Sequence, residues 1–437
     1  MSKLTKKTYL IYGMGVSYFI LDQLYNQWLS YYYLPPGTEH SLKPLLKPSY
    51  LVLAYLFARL IDAISDPLVG YWSDNSKSKF GRRSFFMMIG GLPLGILMVM
   101  YFFPPKDSQI HTLFYLSIIG GLFFTAYTLV GGPYNALIPD LARTKEERLN
   151  LSTVQSTFRL IFTGIALVLP GYMISMLGKG NTEWGIRKTV IILTVFAIIG
   201  IYICVFFLKE KELVKDNEKH ESIGFKSSLK YLMRKEILLY FAGFFFFFSG
   251  FNILRGVLTY YLTIIMELPI KQMTVISAIL FGMAGICFPI TNMLGKKFSY
   301  KKILVLDIML LIAGTVGLLF VNSSISWLAY IMLVICGTGL SGSAFIFPQA
   351  MLSEISAKIS ETEKVSLEGF MFGIQGLFLK LAFLVQQSVV SLVIIAGSIP
   401  DAQGRKSATG LGVRSTLVVA LVLFGISLVF YKLKKED

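Results

Sequence analysis

Charge is scarce in this chain. Only 15% of its 437 residues are Asp, Glu, Lys or Arg, against about 25% in an ordinary soluble protein. Cysteine is scarcer. Cys204, Cys287 and Cys336 stand far apart, which excludes a disulfide framework and any cysteine-based zinc spacing. The histidines His40, His111 and His220 fall in polar stretches, so a buried histidine proton relay is not expected. No G-x-x-x-x-G-K-[ST] run occurs, which excludes a P-loop pump. Neither H-E-x-x-H nor a nucleophile elbow occurs, so no enzyme and no cofactor are expected. A cleavable signal peptide is not expected either. Residues 1–7 are a short basic tail, and no small-residue cleavage site follows the first apolar block.

Apolar residues are what the chain has. They make up 54% of it, with 35 Phe and 23 Tyr, and they come in blocks about as long as a bilayer-crossing helix, roughly 20 residues. Twelve such blocks are expected, at about 8–33, 48–73, 84–103, 110–138, 151–176, 186–208, 237–266, 270–294, 302–321, 325–353, 368–397 and 411–431. The fold class is therefore an all-α membrane protein with twelve transmembrane helices. The long polar stretch 209–236 separates six blocks from six. The expected organisation is an N-terminal six-helix bundle (1–208), a cytoplasmic linker (209–236) and a C-terminal six-helix bundle (237–437). Weak internal symmetry supports a duplication. LSYYYL at the end of the first block is echoed by LTYYLT in the seventh, and the basic loop after the second block by GKKFSYKK after the eighth.

The formal net charge is +16. Most of the Lys and Arg fall in alternate short loops and in both termini, a distribution that orients a membrane protein rather than one that binds nucleic acid. Both termini are expected on the cytoplasmic side of the cell membrane, with membrane lipid as surroundings and a monomer as the working state.

Ionisable residues inside an apolar block cost about 2.5–3.5 kcal/mol each on insertion scales. The second block nevertheless carries Arg59, Asp62 and Asp66, which at this spacing share one helical face. Two neighbouring carboxylates in a low dielectric need a bound cation, a shared proton or a nearby positive group. Na+ or H+ coupling would use such a pair, with Asp62 and Asp66 as the Na+ ligands. A bare Arg59–Asp62 ion pair is the simpler alternative, although one Arg does not neutralise two carboxylates. Lys380 stands inside the eleventh block and needs a partner, for which Asp62 and Asp66 are candidates; snorkelling to a headgroup is its alternative. Asp22, Asn26 and Gln27 in the first block, with Arg59, Arg159 and Arg255, are candidate substrate-binding groups. The loop G-x3-D-x6-G-R-R offers Asp74, Arg82 and Arg83 as gating residues.

R-x-x-D-A-I-S-D-P-L-V-G-Y at 59–71, with its G-R-R loop, resembles the glycoside–pentoside–hexuronide:cation symporters, the melibiose permease-like family of the major facilitator superfamily. G-P-Y-N-A-L-I-P-D-L (132–141), F-P-Q-A-M-L (347–352), E-G-F (368–370) and Lys380 continue the resemblance in order. It implies two pseudo-symmetric bundles of the major facilitator fold and alternating access around a midplane site. It also implies a cation site at Asp62 and Asp66, helped by Ser65 and by Thr128 of the fourth helix, with Lys380 and Arg59 in the family's charged positions. The pattern departs at Gly131, where the melibiose-type sequence has an aspartate that helps bind sugar and cation. The implied function is a symporter taking up a sugar or glycoside with Na+ or H+. A lysolipid or organic-anion carrier and a non-transporting sensor of the same fold are the alternatives.

Overall fold

In the computed structural model, residues 4–37, 39–74, 76, 78–142, 145–213, 233–344, 346–348, 350–352, 354–355, 359 and 368–433 are described. Their regular structure is helical. The chain divides into two compact units, Met1–Lys219 with Pro400–Lys406, and His220–Ile399 with Ser407–Asp437.

The first unit begins with α1 (Lys6–Met14), capped by the Thr5 hydroxyl on Thr8 N–H. A tighter 3-10 turn at Gly15–Tyr18 leads into α2 (Phe19–Tyr33), so the block expected at 8–33 is one interrupted rod. There follow α3 (Pro48–Asp74), α4 (Arg82–Met100), α5 (Gln109–Leu141), α6 (Lys145–Gly178), α7 (Thr182–Phe207) and the short α8 (Glu210–Leu213). Ser108 and Asn181 cap α5 and α7. The second unit contains α9 (Lys235–Tyr260), which runs into a π-turn at Tyr261–Ile265, then α10 (Met273–Phe298), α11 (Tyr300–Leu319), α12 (Ser326–Ser343), α13 (Glu368–Val393) and α14 (Gly410–Leu433). The tenth block was expected to run to 353. Its helix instead ends at Ser343; a turn at Ala344 and Ile346 follows, and helical backbone resumes at Phe347 and Pro348, where a proline in the first turn is tolerated because its missing N–H has no intrahelical partner to serve.

Ten of these helical stretches are long and apolar enough to cross a membrane. The remaining long helix, α3, holds Arg59, Asp62 and Asp66, and the interrupted α1–α2 rod is rich in Asp22, Gln23, Asn26 and Gln27. On α3, Leu53, Leu56, Phe57, Leu60, Ile64 and Leu68 form an exposed apolar stripe at helical spacing, as a lipid-facing surface requires.

The two units repeat one packing scheme. In the first, α5 packs on α3 and α4, α4 on α7, and α1–α2 on α6 and α7; in the second, α12 packs on α10 and α11, α11 on α14, and α9 on α13 and α14. Matching hydrogen bonds accompany it. Tyr33 donates to the Tyr101 carbonyl just past α4, and Tyr261 donates to Leu318 O at the end of α11. Ser17 donates to Ala197 O, joining the first and sixth helices of its unit. Ser427 donates to Gly243 O, joining the sixth and first of the other. Small residues permit these approaches: a Cβ at Gly250 of α9 would stand 3.0 Å from the Phe424 ring of α14.

Candidate functional site

α3 is a regular helix, so Arg59, Asp62, Ser65 and Asp66 emerge on the side away from its apolar stripe. α5 lies against that side and brings Thr128 to them. The Thr128 hydroxyl donates to Asp66 Oδ1 at 2.9 Å and stands 3.5 Å from Asp62 Oδ1. Ser65 Oγ lies 3.3 Å from Thr128 Oγ1 and 3.0 Å from the Asp62 carbonyl. Asp62 is 1% exposed, whereas Asp66 is open. Two carboxylates and two hydroxyls thus converge, an all-oxygen set of the kind hard cations take. Among the described residues no three of His, Cys, Asp and Glu gather, so the donors suit a monovalent cation or a proton rather than a transition metal.

Arg59 pairs with Asp62 Oδ2 at 3.3 Å, and its guanidinium lies 4.2 Å from the centre of the Phe124 ring. The ion pair set out as the simpler alternative therefore exists, and it engages the other oxygen of Asp62 from the one near Thr128. The ring offers the cation a face as well as a counter-ion, which fixes the guanidinium beside the carboxylate without covering Asp66.

On α2, Gln23 and Asn26 donate to Asp22 Oδ2 and Oδ1, each at 2.9 Å. Gln27 is 2% exposed, and neither atom of its amide has a hydrogen-bond partner among the described residues. Tyr127 lies within electrostatic reach of Asp22, Arg159 and Asp62, linking the polar end of α2 to the carboxylate pair. Arg159 of α6 sits 4.1 Å over the Phe19 ring. A Cβ at Gly131 would come 3.3 Å from the Tyr18 ring, so tyrosine fills the space where the melibiose-type pattern places its aspartate. Arg255 and Lys380 belong to the second unit. Arg255 is buried on α9, 5.8 Å from the Phe383 ring, and Lys380 is half-buried on α13.

The gating candidates form a clamp at the foot of α4. Arg82 binds Asp140 Oδ1 at 2.6 Å, and Arg83 Nε binds Asp140 Oδ2 at 3.0 Å. Arg83 also donates to Ser73 Oγ at 2.7 Å. The side chain of Asp74 lies outside the described residues. α4 has no local side-chain cap. Instead Glu210 accepts the N–H of Arg83 at 3.0 Å and of Ser84 at 2.6 Å, from 127 residues along the chain. Gly81, at φ +105°, leaves it room, since any Cβ there would collide with the Glu210 carboxylate.

Asp140 and Glu210 were not among the residues singled out from the sequence. Asp140 ends the G-P-Y-N-A-L-I-P-D motif, which supplied a signal. Glu210 is one acidic residue in a charged run and supplied none.

The model of the family described as MFS/sugar transport protein matches residues 11–435. An uncharacterized symporter of Bacillus subtilis strain 168 is 26% identical over 397 residues, covering 87% of this chain and 83% of the relative. A putative glycoside/cation symporter of Escherichia coli K12 is 29% identical over 161 residues, covering 36% of this chain and only 34% of that relative's length. Among solved structures, a bacterial homolog of the human lysosomal transporter Spinster superimposes with a TM-score of 0.68 at 14% identity, covering 98% of this chain and 95% of the other.

Proposed function

This chain belongs to the MFS/sugar transport protein family, and we propose from that premise that it is a secondary symporter taking up a sugar or glycoside together with Na+ or H+. The observation that carries the coupling site is the Thr128 hydroxyl, 2.9 Å from one carboxylate of α3 and 3.5 Å from the other. Two carboxylates sharing one hydroxyl repel when both are ionised. A cation among their oxygens, or a proton on one of them, removes that repulsion, so binding of the ion carries its own driving force. Arg59 leaves the pair net negative. Ser65 adds a further oxygen.

The solute would meet the polar end of α2. Asp22, held by two amides, accepts from sugar hydroxyls, and the amide of Gln27, which has no partner among the described residues, can donate and accept at once. Arg159 and Arg255 are further substrate groups in this reading. Lys380 is assigned to coupling on the family resemblance. Arg82, Arg83 and Asp140 act as a latch that must open and re-form during alternating access, and Asp74, the last residue of α3, is assigned to the same gating role. The working unit is proposed to be a monomer in the cell membrane, with both termini cytoplasmic.

The test is uptake of a sugar panel by proteoliposomes under imposed Na+ or H+ gradients. Wild-type protein accumulates one of the sugars under one of the gradients. Asp62→Asn and Asp66→Asn each abolish accumulation while still inserting and folding. Full accumulation by both variants would reject the coupling site, and exchange with no accumulation in the wild type would reject symport.

A further inference from the structure

Asp307 is an acidic residue that the symport site does not use. It lies on α11, seven residues past Tyr300 where that helix begins, and it faces α12. Two glycines let α12 close on it. A Cβ at Gly339 would collide with the Asp307 carbonyl, and one at Gly342 with Asp307 Oδ2 and the Phe347 ring. The side chain is consequently 3% exposed, and Oδ2 has no hydrogen-bond partner among the described residues. The backbone N–H groups of Gly342 and Ser343, in the last turn of α12, stand close to the carboxyl.

Among the described residues, the titratable groups on the packed elements lie elsewhere; Lys302 of α11 and Lys432 of α14 are exposed. On α11 itself, Lys301 Nζ reaches the Lys432 carbonyl of α14, and the Tyr300 ring rests against Phe347. From α12, the Cys336 thiol lies beside Thr315 and the Leu311 carbonyl, at least one turn farther along α11; Tyr330 sits near the opposite end of that helix. From α14, Arg414 binds the carbonyls of Leu319 and Val321, and Tyr431 is buried beside Tyr240 of α9. From α10, Cys287 bonds Thr338, and Lys297 lies over the Phe298 ring. Among the described residues no positive charge meets the carboxyl.

A lone ionised carboxylate in such a place is heavily penalised, and the usual resolution is a neutral carboxylic acid. We propose that Asp307 is a second proton-binding site, separate from the Asp62–Asp66 pair. It is loaded while α12 is closed on α11, and it releases its proton to water when that seam opens. The site belongs to the second unit alone. It does not depend on which sugar or cation the carrier takes, so it can stand or fall apart from the symport reading.

The test is thermal unfolding of the purified full-length protein across a pH series, for wild type and Asp307→Asn. A folded state that holds a proton the unfolded chain releases loses stability as pH rises above the unfolded carboxyl value of about 3.9. The folding equilibrium then falls by about tenfold per pH unit for as long as the folded state keeps the proton. Wild-type protein is therefore expected to lose melting temperature relative to Asp307→Asn progressively from about pH 5 upward, and Asp307→Asn to produce the same pH-dependent difference when introduced into an Asp62→Asn background. A difference between wild type and Asp307→Asn that does not vary with pH overturns the proposal. Failure of Asp307→Asn to fold overturns it too, because that variant is the neutral isostere of the proposed state. Infrared spectroscopy gives an independent readout: a protonated-carboxyl carbonyl band at neutral pH that disappears in Asp307→Asn. A wild-type spectrum without such a band rejects the site.

Discussion

From Thr128 a single hydroxyl addresses both carboxylates of α3. It has one proton to donate, and the geometry gives that proton to Asp66; its lone pairs remain for a cation. Thr128→Val removes the oxygen and keeps the shape. Losing a hydrogen bond to a charged group costs about 1.5–3 kcal/mol, so the apparent affinity for the coupling ion should fall by roughly tenfold or more. Thr128→Ser should restore most of it. Equal ion affinity in the valine variant, measured as the concentration dependence of uptake, would remove Thr128 from the site. Gln27 makes a different prediction. Its amide is buried and without a hydrogen-bond partner among the described residues, so Gln27→Leu should cost the free protein nothing in stability. If a sugar hydroxyl satisfies that amide, KM should rise while ion affinity stays put. Asp62 and Asp66 were legible in the sequence because charge inside an apolar block is costly enough to demand a reason. Their common face followed from helix periodicity alone. The contact with Thr128 did not follow from periodicity: it depends on how α5 packs on α3, and only the family resemblance pointed to it. Asp307 sat near the edge of its block, where an acid looks unremarkable, and the glycines that bury it lie on another helix.

At the scale of elements, α4 shows how a helix start can be fixed from far away. The first turn of any helix has N–H groups with no internal partner, and here no Ser, Thr, Asp or Asn precedes Arg82 to accept them. Glu210 supplies the acceptor and a negative charge at the positive end of the helix. Glu210→Ala should therefore destabilise the protein by about 2 kcal/mol, visible as a lower melting temperature. Gly81→Ala attacks the same contact from the other side, through steric collision and a backbone angle that disfavours any Cβ. The double variant should be less destabilised than the sum of the two single variants. Full additivity would show that Gly81 and Glu210 act separately. Helix positions were readable because each apolar block is bounded by polar or turn residues. The misjudged end was α12, whose apolar run continues past Ser343 through Phe347; hydropathy does not register the turn that separates Ser343 from the helical residues Phe347 and Pro348.

At the scale of the whole molecule, the repeated packing scheme was foreshadowed only faintly, by LSYYYL and LTYYLT. In register within those short echoes, Tyr32 and Tyr261 do equivalent work: Tyr32 donates to the Phe102 carbonyl just past the third helix of its unit, and Tyr261 to Leu318 O at the end of the third helix of the other. Most other positions diverged because lipid-facing and core positions accept many apolar residues of similar volume. Charge distribution yields the remaining prediction. Cationic loops resist translocation, and the bias over short loops sets orientation. The α3–α4 loop with Arg82 and Arg83 should then face the cytoplasm, and the α13–α14 loop the outside. Phe80 is 59% exposed and Ile399 91% exposed, so each can carry a cysteine without disturbing a core. Cys204 and Cys336 are buried and Cys287 is half-buried, which keeps the background low. In intact cells, a membrane-impermeant maleimide should label Ile399→Cys and spare Phe80→Cys until the membrane is opened. The reverse pattern would invert the protein. It would place the Arg82–Asp140 latch on the outer face, so a latch assigned to cytoplasmic opening would fail in that role even though every contact in it remained.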